Sequence, residues 1–161
     1  MIYLGIDPGS RECGYGVIQV DNKKIVGVSY DIIKLNPKDE LSSRIVVIYS
    51  QINQVIKHFK PDKVAVETIF YGKNIRSAFT LGHVRGAIVL AVAQHELKVF
   101  EYSPREIKKG VTGNGNASKQ QIQFMLPKLL NMKSVSIPED AADALAVAFC
   151  LYNHDRLHNL N

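Results

Sequence analysis

Apolar residues are concentrated in three short segments near the start of the chain. These segments span residues 3–7, 14–20 and 24–35, and the third is rich in valine and isoleucine. Runs of this length and composition predict β-strands. The connections between them are short, beginning with the turn Pro8-Gly9-Ser10, and short connections favour an antiparallel meander. Residues 36–39 then end the strand pattern.

The remainder of the chain alternates between helical and strand patterns. Apolar residues at helical spacing predict helices at residues 41–59, 75–95, 104–109, 118–130 and 138–152. Compact apolar runs predict two further strands at residues 64–67 and 97–102. Pro127 predicts a kink or a break in the fourth helix. Because strands that alternate with helices pair in parallel, we expect an α/β fold: a mixed five-stranded sheet with helices on both faces.

Length and composition indicate one globular domain with a basic surface. The chain has 161 residues, of which 46% are hydrophobic and 22% charged, and its formal net charge is +5. We expect a single domain at residues 1–155 and a short tail at residues 156–161. The basic balance is compatible with nucleic acid as a partner, although many basic proteins bind none.

Signals for secretion or membrane insertion are not apparent in the sequence. The opening residues, MIYLGID, lack the basic region of a signal peptide, and no apolar run approaches the roughly 20 residues of a membrane helix. Cys13 and Cys150 form no CxxC motif, so we interpret them as reduced thiols that fill the core. A cytoplasmic protein with no membrane partner is therefore expected.

Two acidic residues stand directly after predicted buried strands. Asp7 follows the apolar residues of the first strand, and Glu67 follows Val64-Ala65-Val66. In α/β sheets, ligands bind beyond the carboxyl ends of the strands, so both acids could face one crevice. Each could equally be the first polar residue after a strand, and these two residues do not decide between the interpretations.

The helix predicted at residues 138–152 carries two further acids. Asp140 and Asp143 are three residues apart, so they share one face of the helix. The same stripe continues through Ala144, Val147 and Leu151, which must face the core. Complementing the helix dipole would explain Glu139 and Asp140 equally well, but it explains less well why Asp143 is aligned with the apolar stripe.

Converging buried carboxylates require a metal ion or shared protons, since an uncompensated buried charge is costly. Ligands that are all oxygen suit Mg²⁺ or Mn²⁺, and no set of histidines and cysteines with zinc spacing competes. Two such ions are the usual arrangement for in-line hydrolysis of a phosphodiester.

Four segments, in order along the chain, resemble the RuvC family of crossover junction endodeoxyribonucleases. They are GIDPGSR followed by GYG, ETIFYGKN, FEYSPREIKKGVTGNGNASKQQ and DAADALA. The resemblance runs from residue 2 to about residue 150. It implies the RNase H-like fold, a homodimer, paired symmetric nicking of four-way junction DNA with Mg²⁺, and cooperation with the branch-migration proteins RuvA and RuvB. Two Mg²⁺ per subunit are expected, with Mn²⁺ as a substitute.

The resemblance also implies roles for particular residues. Asp7, Glu67, Asp140 and Asp143 match the family's metal-binding acids. Lys108 and Lys119 match basic residues implicated in DNA contact and cleavage, and Phe70 matches an aromatic residue implicated in handling junction bases. We therefore expect Lys119 to act in catalysis beside the four acids.

Aromatic and basic residues alternate directly after Glu67. Phe70, Tyr71, Lys73 and Arg76 form a pattern that suits stacking on unpaired bases and contact with the DNA backbone, although the segment could pack on itself. Lys108 and Lys119 flank a glycine-rich loop at residues 113–116, where a solvated charged face is the simpler alternative.

The helix predicted at residues 75–95 is apolar nearly all round in its second half. A helix on one face of a sheet needs only one apolar stripe, so the excess indicates a second buried face such as a subunit interface. Gly82 and Gly86, about one turn apart, would permit close approach of a partner. A helix wedged within a monomer is the alternative.

Three other functions remain open at this point. A related nuclease of the YqgF type, which acts on RNA, shares a similar opening motif. An ATPase of the actin and sugar-kinase type has a similar phosphate loop, but that fold needs two domains to enclose a nucleotide. A junction-binding module without catalytic activity is the third, and four acids in register argue against it.

Overall fold

The computed structural model describes residues 1–69, 75–132 and 136–158. Five strands and five helices are assigned within these ranges. The strands are β1 (Ile2–Asp7), β2 (Glu12–Asp21), β3 (Lys24–Lys34), β4 (Lys63–Glu67) and β5 (Val99–Tyr102). The helices are α1 (Leu41–Phe59), α2 (Ile75–Ala93), α3 (Pro104–Thr112), α4 (Lys119–Leu129) and α5 (Glu139–His158).

The strands form one mixed sheet in the order β3-β2-β1-β4-β5. The first three pair antiparallel as a meander, whereas β1 pairs parallel with β4, and β4 with β5. Ile6 lies opposite Val66 in the β1–β4 register, which brings the carboxyl ends of both strands to one edge of the sheet. The predicted mixed five-stranded sheet is confirmed.

Alternating side chains of the central strands supply two cores, one on each face of the sheet. Leu4 and Ile6 of β1 lie in a cluster with residues of α1 and α2. Tyr3, on the opposite face, lies in a cluster with residues of α3, α4 and α5. Because successive strand residues point to opposite faces, one strand serves both cores. Helices therefore cover both faces, as the sequence predicts.

Helix α5 lies directly against the backbone of β1 and β2. A Cβ atom added at Gly5 would collide with the backbone of Ala144 and Ala148, and one added at Gly14 would collide with the carbonyl of Asp140. These glycines therefore set how closely α5 approaches the sheet. The close approach fixes the first turn of α5 beside the end of β1 and the start of β2.

Two local details differ from the sequence-based expectations. The fourth helix continues through Pro127 and ends two residues later at Leu129, so of the expected kink or break, the break does not occur. Pro127 lacks the N–H that would bond the carbonyl of Gln123, and only two helical residues follow it. Helix α5 ends at His158 rather than near residue 152, so residues 156–158, expected in a tail, belong to the helix.

Helix α2 passes a test of length and composition for a membrane span, although Arg76 and Arg85 interrupt its apolar residues. The core helix of a globular protein passes the same test. The buried residues of α2, including Val84, Ile88 and Val92, belong to the core cluster that α1 also supplies. The other side of α2 is exposed, including Phe79 and Leu90.

Both cysteines, Cys13 and Cys150, are buried free thiols, in agreement with the predicted packing role.

Candidate active site

Asp7 and Glu67 meet at the carboxyl edge of the sheet. Each is the last residue of its strand, and the parallel pairing of β1 with β4 places them side by side. Their carboxyl groups are hydrogen-bonded to each other. Burial, followed by the charge of Glu67, holds the pKa of Asp7 well above its usual range. Two carboxylates this close share a proton because they cannot both ionise cheaply.

Asp140 and Asp143 approach the same position from the first turn of α5. Their charges act on Asp7 and add to the rise in its pKa. Burial also raises the pKa of Asp143, and the hydrogen bond and charge of Lys119 offset only part of that shift. The structure therefore brings together the four acids that the sequence singles out, and the alternative that Asp7 and Glu67 merely follow their strands is set aside.

Lys119 is the cation that approaches these acids most directly. It is the first residue of α4, whose start is fixed by a capping box between Ser118 and Gln121. Its Nζ lies 2.9 Å from Asp143 Oδ2 and also forms an ion pair with Glu139. Burial alone would lower the pKa of Lys119, but the bonds to Glu139 and Asp143 outweigh it and raise the pKa. Lys119 is therefore a permanent positive charge at neutral pH.

Lys108 approaches from α3 and is half-buried. The charges of Lys119 and Lys108 both oppose the rise in the pKa of Glu67, which burial causes. The two lysines therefore lie near the acids from the side of the third and fourth helices, as expected from the sequence.

A divalent metal fits the chemistry of this site. The four candidate ligands offer only carboxylate oxygens, which suit such an ion. The pKa of Asp7, Glu67 and Asp143 is raised, so the nearby positive charge does not fully neutralise these acids. Within the described ranges, no three Asp, Glu, His or Cys side chains are already arranged as a ligand set. The proton shared by Asp7 and Glu67, together with the ammonium of Lys119, compensates the negative charge instead.

The predicted base-stacking segment is only partly visible. Phe70, Tyr71 and Lys73 lie outside the described residues. Arg76 is exposed in the first turn of α2, where its backbone carbonyl accepts a hydrogen bond from Thr80. Thr68 and Ile69, which precede the segment, line a groove of about 790 Å³ against α2.

Two contributors to the site were missed by the sequence-based interpretation. Glu139 was attributed to the helix dipole, but it also pairs with Lys119. Arg44 of α1 donates a hydrogen bond of 3.1 Å to the carbonyl of Ser10, in the loop after Asp7. Its only signal in the sequence is a charged residue near the start of an apolar helix, which is too common to identify a role.

The model of the family described as crossover junction endodeoxyribonuclease RuvC matches residues 3–151. The chain belongs to the RuvC family. RuvC of Pseudothermotoga lettingae is 43% identical over 93% of both chains, and RuvC of Chlorobium phaeovibrioides is 45% identical over 93% of this chain and 80% of its own.

Solved RuvC structures share the fold over nearly the whole chain. The Thermus thermophilus RuvC structure is 29% identical with a TM-score of 0.88, and it covers 98% of this chain and 97% of its own. T. thermophilus RuvC in complex with Holliday junction substrate is 26% identical with a TM-score of 0.85 over 98% and 96%. The expected RNase H-like fold is confirmed.

The RuvC match decides between the functions left open by the sequence. The protein is a metal-dependent crossover junction endodeoxyribonuclease, a Holliday junction resolvase of recombination and repair. Its divalent metal requirement is that of the RuvC family. This assignment excludes the binding module without catalysis and favours DNA over the RNA substrates of the YqgF type.

Proposed function

We propose that this RuvC protein holds two Mg²⁺ ions per subunit on Asp7, Glu67, Asp140 and Asp143 and nicks junction DNA there. The observation that carries the proposal is the convergence of these four carboxyl groups, with the pKa of Asp7 raised by burial and by the charges of the other three acids. Divalent cations bound by these carboxylates would remove the repulsion between their negative charges. Because the donors are all oxygen, Mn²⁺ should substitute for Mg²⁺.

The protein's own groups have separate roles around the metals. When bound, the two ions supply an activated water and stabilise the leaving oxygen of an in-line hydrolysis. Asp7 and Glu67 give up their shared proton so that both carboxylates are available as ligands. Lys119 releases Asp143 and keeps its positive charge beside the scissile phosphate, where it stabilises the charge that develops in the transition state. Lys108 contributes a second positive charge for holding the strand.

The segment after Glu67 is proposed to handle the junction bases. Phe70 and Tyr71 would stack on unpaired bases, and Lys73 and Arg76 would contact the backbone. Support comes from their position directly after a catalytic acid and from the exposure of Arg76. We expect Phe70→Ala to slow single-turnover cleavage at saturating protein more than it weakens binding. Phe124→Ala, which removes an exposed phenylalanine of α4, is the matched control. Equal rates for both variants and the wild type would remove Phe70 from the mechanism.

The open side of α2 supports a homodimer. Ile75, Phe79 and Leu90 are exposed on this helix, and Gly82 and Gly86 have open space where a side chain would stand. Each of these five positions lies three or four residues from the next, so they share one face of the helix. An exposed apolar face with two glycines suits close packing against a second copy of the helix, and it explains a helix that is apolar beyond its buried stripe.

A homodimer in turn suits the symmetry of a four-way junction. Two copies related by a two-fold axis would present two sets of acids to two strands, giving paired symmetric nicks. We further propose that the protein acts in the cytoplasm with RuvA and RuvB, on the basis of its family.

The decisive experiment uses a synthetic four-way junction with labelled strands. Cleavage is measured with Mg²⁺, with Mn²⁺ and with EDTA, and a structured RNA serves as the competing substrate. We expect two symmetric nicks with either metal and none with EDTA. Asp143→Asn should abolish cleavage, whereas Glu139→Gln, which changes an exposed neighbour bonded to the same lysine, should retain most of it. Cleavage in EDTA, or of the RNA alone, would contradict the proposal.

The metal count requires a separate measurement. Calorimetric titration of Mn²⁺ into the metal-free protein with a bound junction should show two sites per subunit in the wild type. The Asp143→Asn variant should lose at least one. A single site in the wild type would refute the two-metal arrangement while leaving metal-dependent cleavage intact.

A further inference from the structure

A second groove opens from the acids and is lined near the start of β2 and the end of β3, with no residue from the helices that carry Lys108 and Lys119. It has a volume of about 500 Å³ and is continuous with the catalytic cluster, because Asp140 forms part of its wall. Its other lining residues come from the start of β2 and the end of β3 with the loop that follows: Ser10, Arg11, Glu12, Lys34, Leu35 and Pro37. The catalytic centre is thus open on two sides.

Strand order fixes where this groove lies relative to the scissile position. Along the sheet edge, β3 and β2 stand on one side of β1, and β4 and β5 stand on the other. Lys34 ends β3 and Asp7 ends β1, with β2 between them. Neighbouring strands are about 4.8 Å apart, and Lys34 lies two residues beyond the position opposite Asp7, so the two strand ends are separated by about 12 Å. Phosphates of one strand advance about 3.4 Å each along a duplex axis and are farther apart along the backbone itself, so this separation corresponds to about two to three nucleotides.

The two basic residues of the groove are held by the backbone. The N–H of Leu35 donates a 2.7 Å hydrogen bond to the carbonyl of Arg11, which ties the end of β3 to the start of β2. The guanidinium of Arg44 in α1 donates a hydrogen bond to the carbonyl of Ser10, next to Arg11 in the chain. Its buried Nε has no hydrogen-bond partner among the described residues. The position of Arg11 and Lys34 therefore does not depend on a flexible loop.

The charges of these residues are available to a ligand. Arg11 and Lys34 are both exposed, and in the part of the chain that the structure describes neither forms an ion pair. Two carboxylates also line the groove, those of Glu12 and Asp140. Asp140 belongs to the catalytic cluster, so the rest of the groove carries two positive charges and only the negative charge of Glu12. That balance suits a phosphodiester backbone.

We propose that Arg11 and Lys34 bind phosphates of the cleaved strand about two to three nucleotides from the scissile phosphate. Lys108 and Lys119 then hold the strand on one side of the acids, and the Arg11–Lys34 pair holds it on the other. The metal cluster sits between two points of backbone contact, which fixes the scissile phosphate over it. Phosphate contacts of this kind position a strand and carry no sequence information. The proposal rests on the junction cleavage described above.

The test compares the double variant Arg11→Gln/Lys34→Gln with a matched control. Lys24→Gln/Lys57→Gln also removes two exposed positive charges, but at the start of β3 and the end of α1, away from the catalytic edge. Junction affinity is measured in EDTA over a series of salt concentrations. Each lost phosphate contact should reduce the slope of log affinity against log salt by about 0.9. We expect a decrease of about 1 to 2 and an affinity loss of about tenfold for the first variant, and little change for the control.

A chemical probe locates the contact. Single phosphates of the junction strand are replaced by neutral methylphosphonates at each position up to about four nucleotides on either side of the scissile bond. At two or three nucleotides on one side, the methylphosphonate should weaken binding by the wild type. It should not weaken binding by the double variant any further, because the methylphosphonate and the double substitution remove the same contact. At other positions the two losses should add.

Losses that add at every position would overturn the proposal, as would equal salt slopes for the two double variants. Because these measurements are made in EDTA, they do not depend on the number of metal ions, and a failed two-metal proposal would leave them unaffected. Thermal unfolding in the same buffer identifies a variant that has lost its fold. In that case the single variant Lys34→Gln is tested instead of the double variant, and Lys24→Gln is its control.

Discussion

Lys119 at the start of α4 lies 2.9 Å from Asp143 in the first turn of α5, so a lysine and a candidate metal ligand are paired before any metal binds. The side chain of Lys119 is 48% exposed and that of Asp143 is 26% exposed. Such a half-exposed pair contributes little to stability, in the range of about 0–1 kcal/mol. Its proposed importance is positional, because it holds a cation beside the carboxylates that we propose as metal ligands.

Replacing Lys119 with alanine is expected to slow cleavage far more than it weakens binding. Removing one group that stabilises transition-state charge costs roughly 10²–10³ in rate, whereas losing one phosphate contact reduces affinity only modestly. Single-turnover cleavage at saturating protein separates the two effects. Lys128→Ala, at the other end of α4, serves as the control. If the Lys119 variant then cleaves like the wild type, the lysine has no part in the chemical step.

Asp7→Asn is expected to abolish cleavage, to preserve junction binding and to stabilise the metal-free protein. The folded protein keeps a proton on Asp7 that the unfolded chain releases above its ordinary pKa, so raising the pH destabilises the folded state. Asparagine removes that penalty. Each pKa unit corresponds to about 1.4 kcal/mol, and we expect a gain on the order of 1–2 kcal/mol near neutral pH.

The measurement is thermal unfolding in EDTA over a pH series. The melting temperature of the wild type should fall as pH rises from mildly acidic to neutral, and that of Asp7→Asn should fall less. Asp21→Asn, which removes an exposed acid at the end of β2, should behave like the wild type. Parallel curves for all three proteins would show that the neighbouring acids do not raise the pKa of Asp7 in the folded protein.

Phe79→Glu is expected to convert the dimer into monomers. Phe79 is exposed on the open side of α2, and a buried carboxylate at a subunit contact would be costly. Val46→Glu changes a similarly exposed apolar residue of α1 and should leave the dimer intact. Sedimentation at micromolar concentration measures both masses. A monomeric wild type, or a dimeric Phe79 variant, would move the proposed interface away from this face.

Gly14→Ala should reduce both stability and activity. The added methyl would collide with the carbonyl of Asp140, so α5 has to shift away from the sheet. Overpacking of this kind costs about 1–3 kcal/mol, and a displacement of about 1 Å at a catalytic group can cost roughly a hundredfold in rate. Gly82→Ala is the contrasting case, because its methyl meets open space within one subunit. It should leave the packing of α5 on the sheet unchanged and affect only the proposed contact of α2 with a second copy. Comparable behaviour of the two variants would exclude a spacing role for Gly14.

The sequence predicts the catalytic edge well because its constraints are strongly periodic. Asp143 lies on the same stripe as buried Ala144 and Val147, and an acid aligned with core residues had to face inward. Asp7 and Glu67 each end a strand whose apolar residues are buried on both sides, but that position alone did not separate a shared crevice from a chance first polar residue. The alignment of Asp143 with the apolar stripe of α5 supplied the support that these two residues lacked.

What the sequence does not disclose depends on contacts between distant segments. Gly5 and Gly14 appear as ordinary strand glycines until α5 is seen against them, about 130 residues later. The bond from Arg44 to Ser10 spans 34 residues and leaves no periodic signal. Pro127 predicts a kink or a break, and the pattern alone does not show that α4 runs on to Leu129. The groove beside Arg11 and Lys34 likewise exists only once β2 and β3 are paired.

The placement of Asp140 and Asp143 on α5 has a consequence for how the enzyme is made. Two of the four proposed metal-binding acids follow β1 to β5 and the first four helices in the chain. A chain synthesised only as far as β5 would carry Asp7 and Glu67 but lack the other two carboxylates. On the proposed assignment, cutting activity would therefore require synthesis beyond Asp143 and the packing of α5 against β1 and β2.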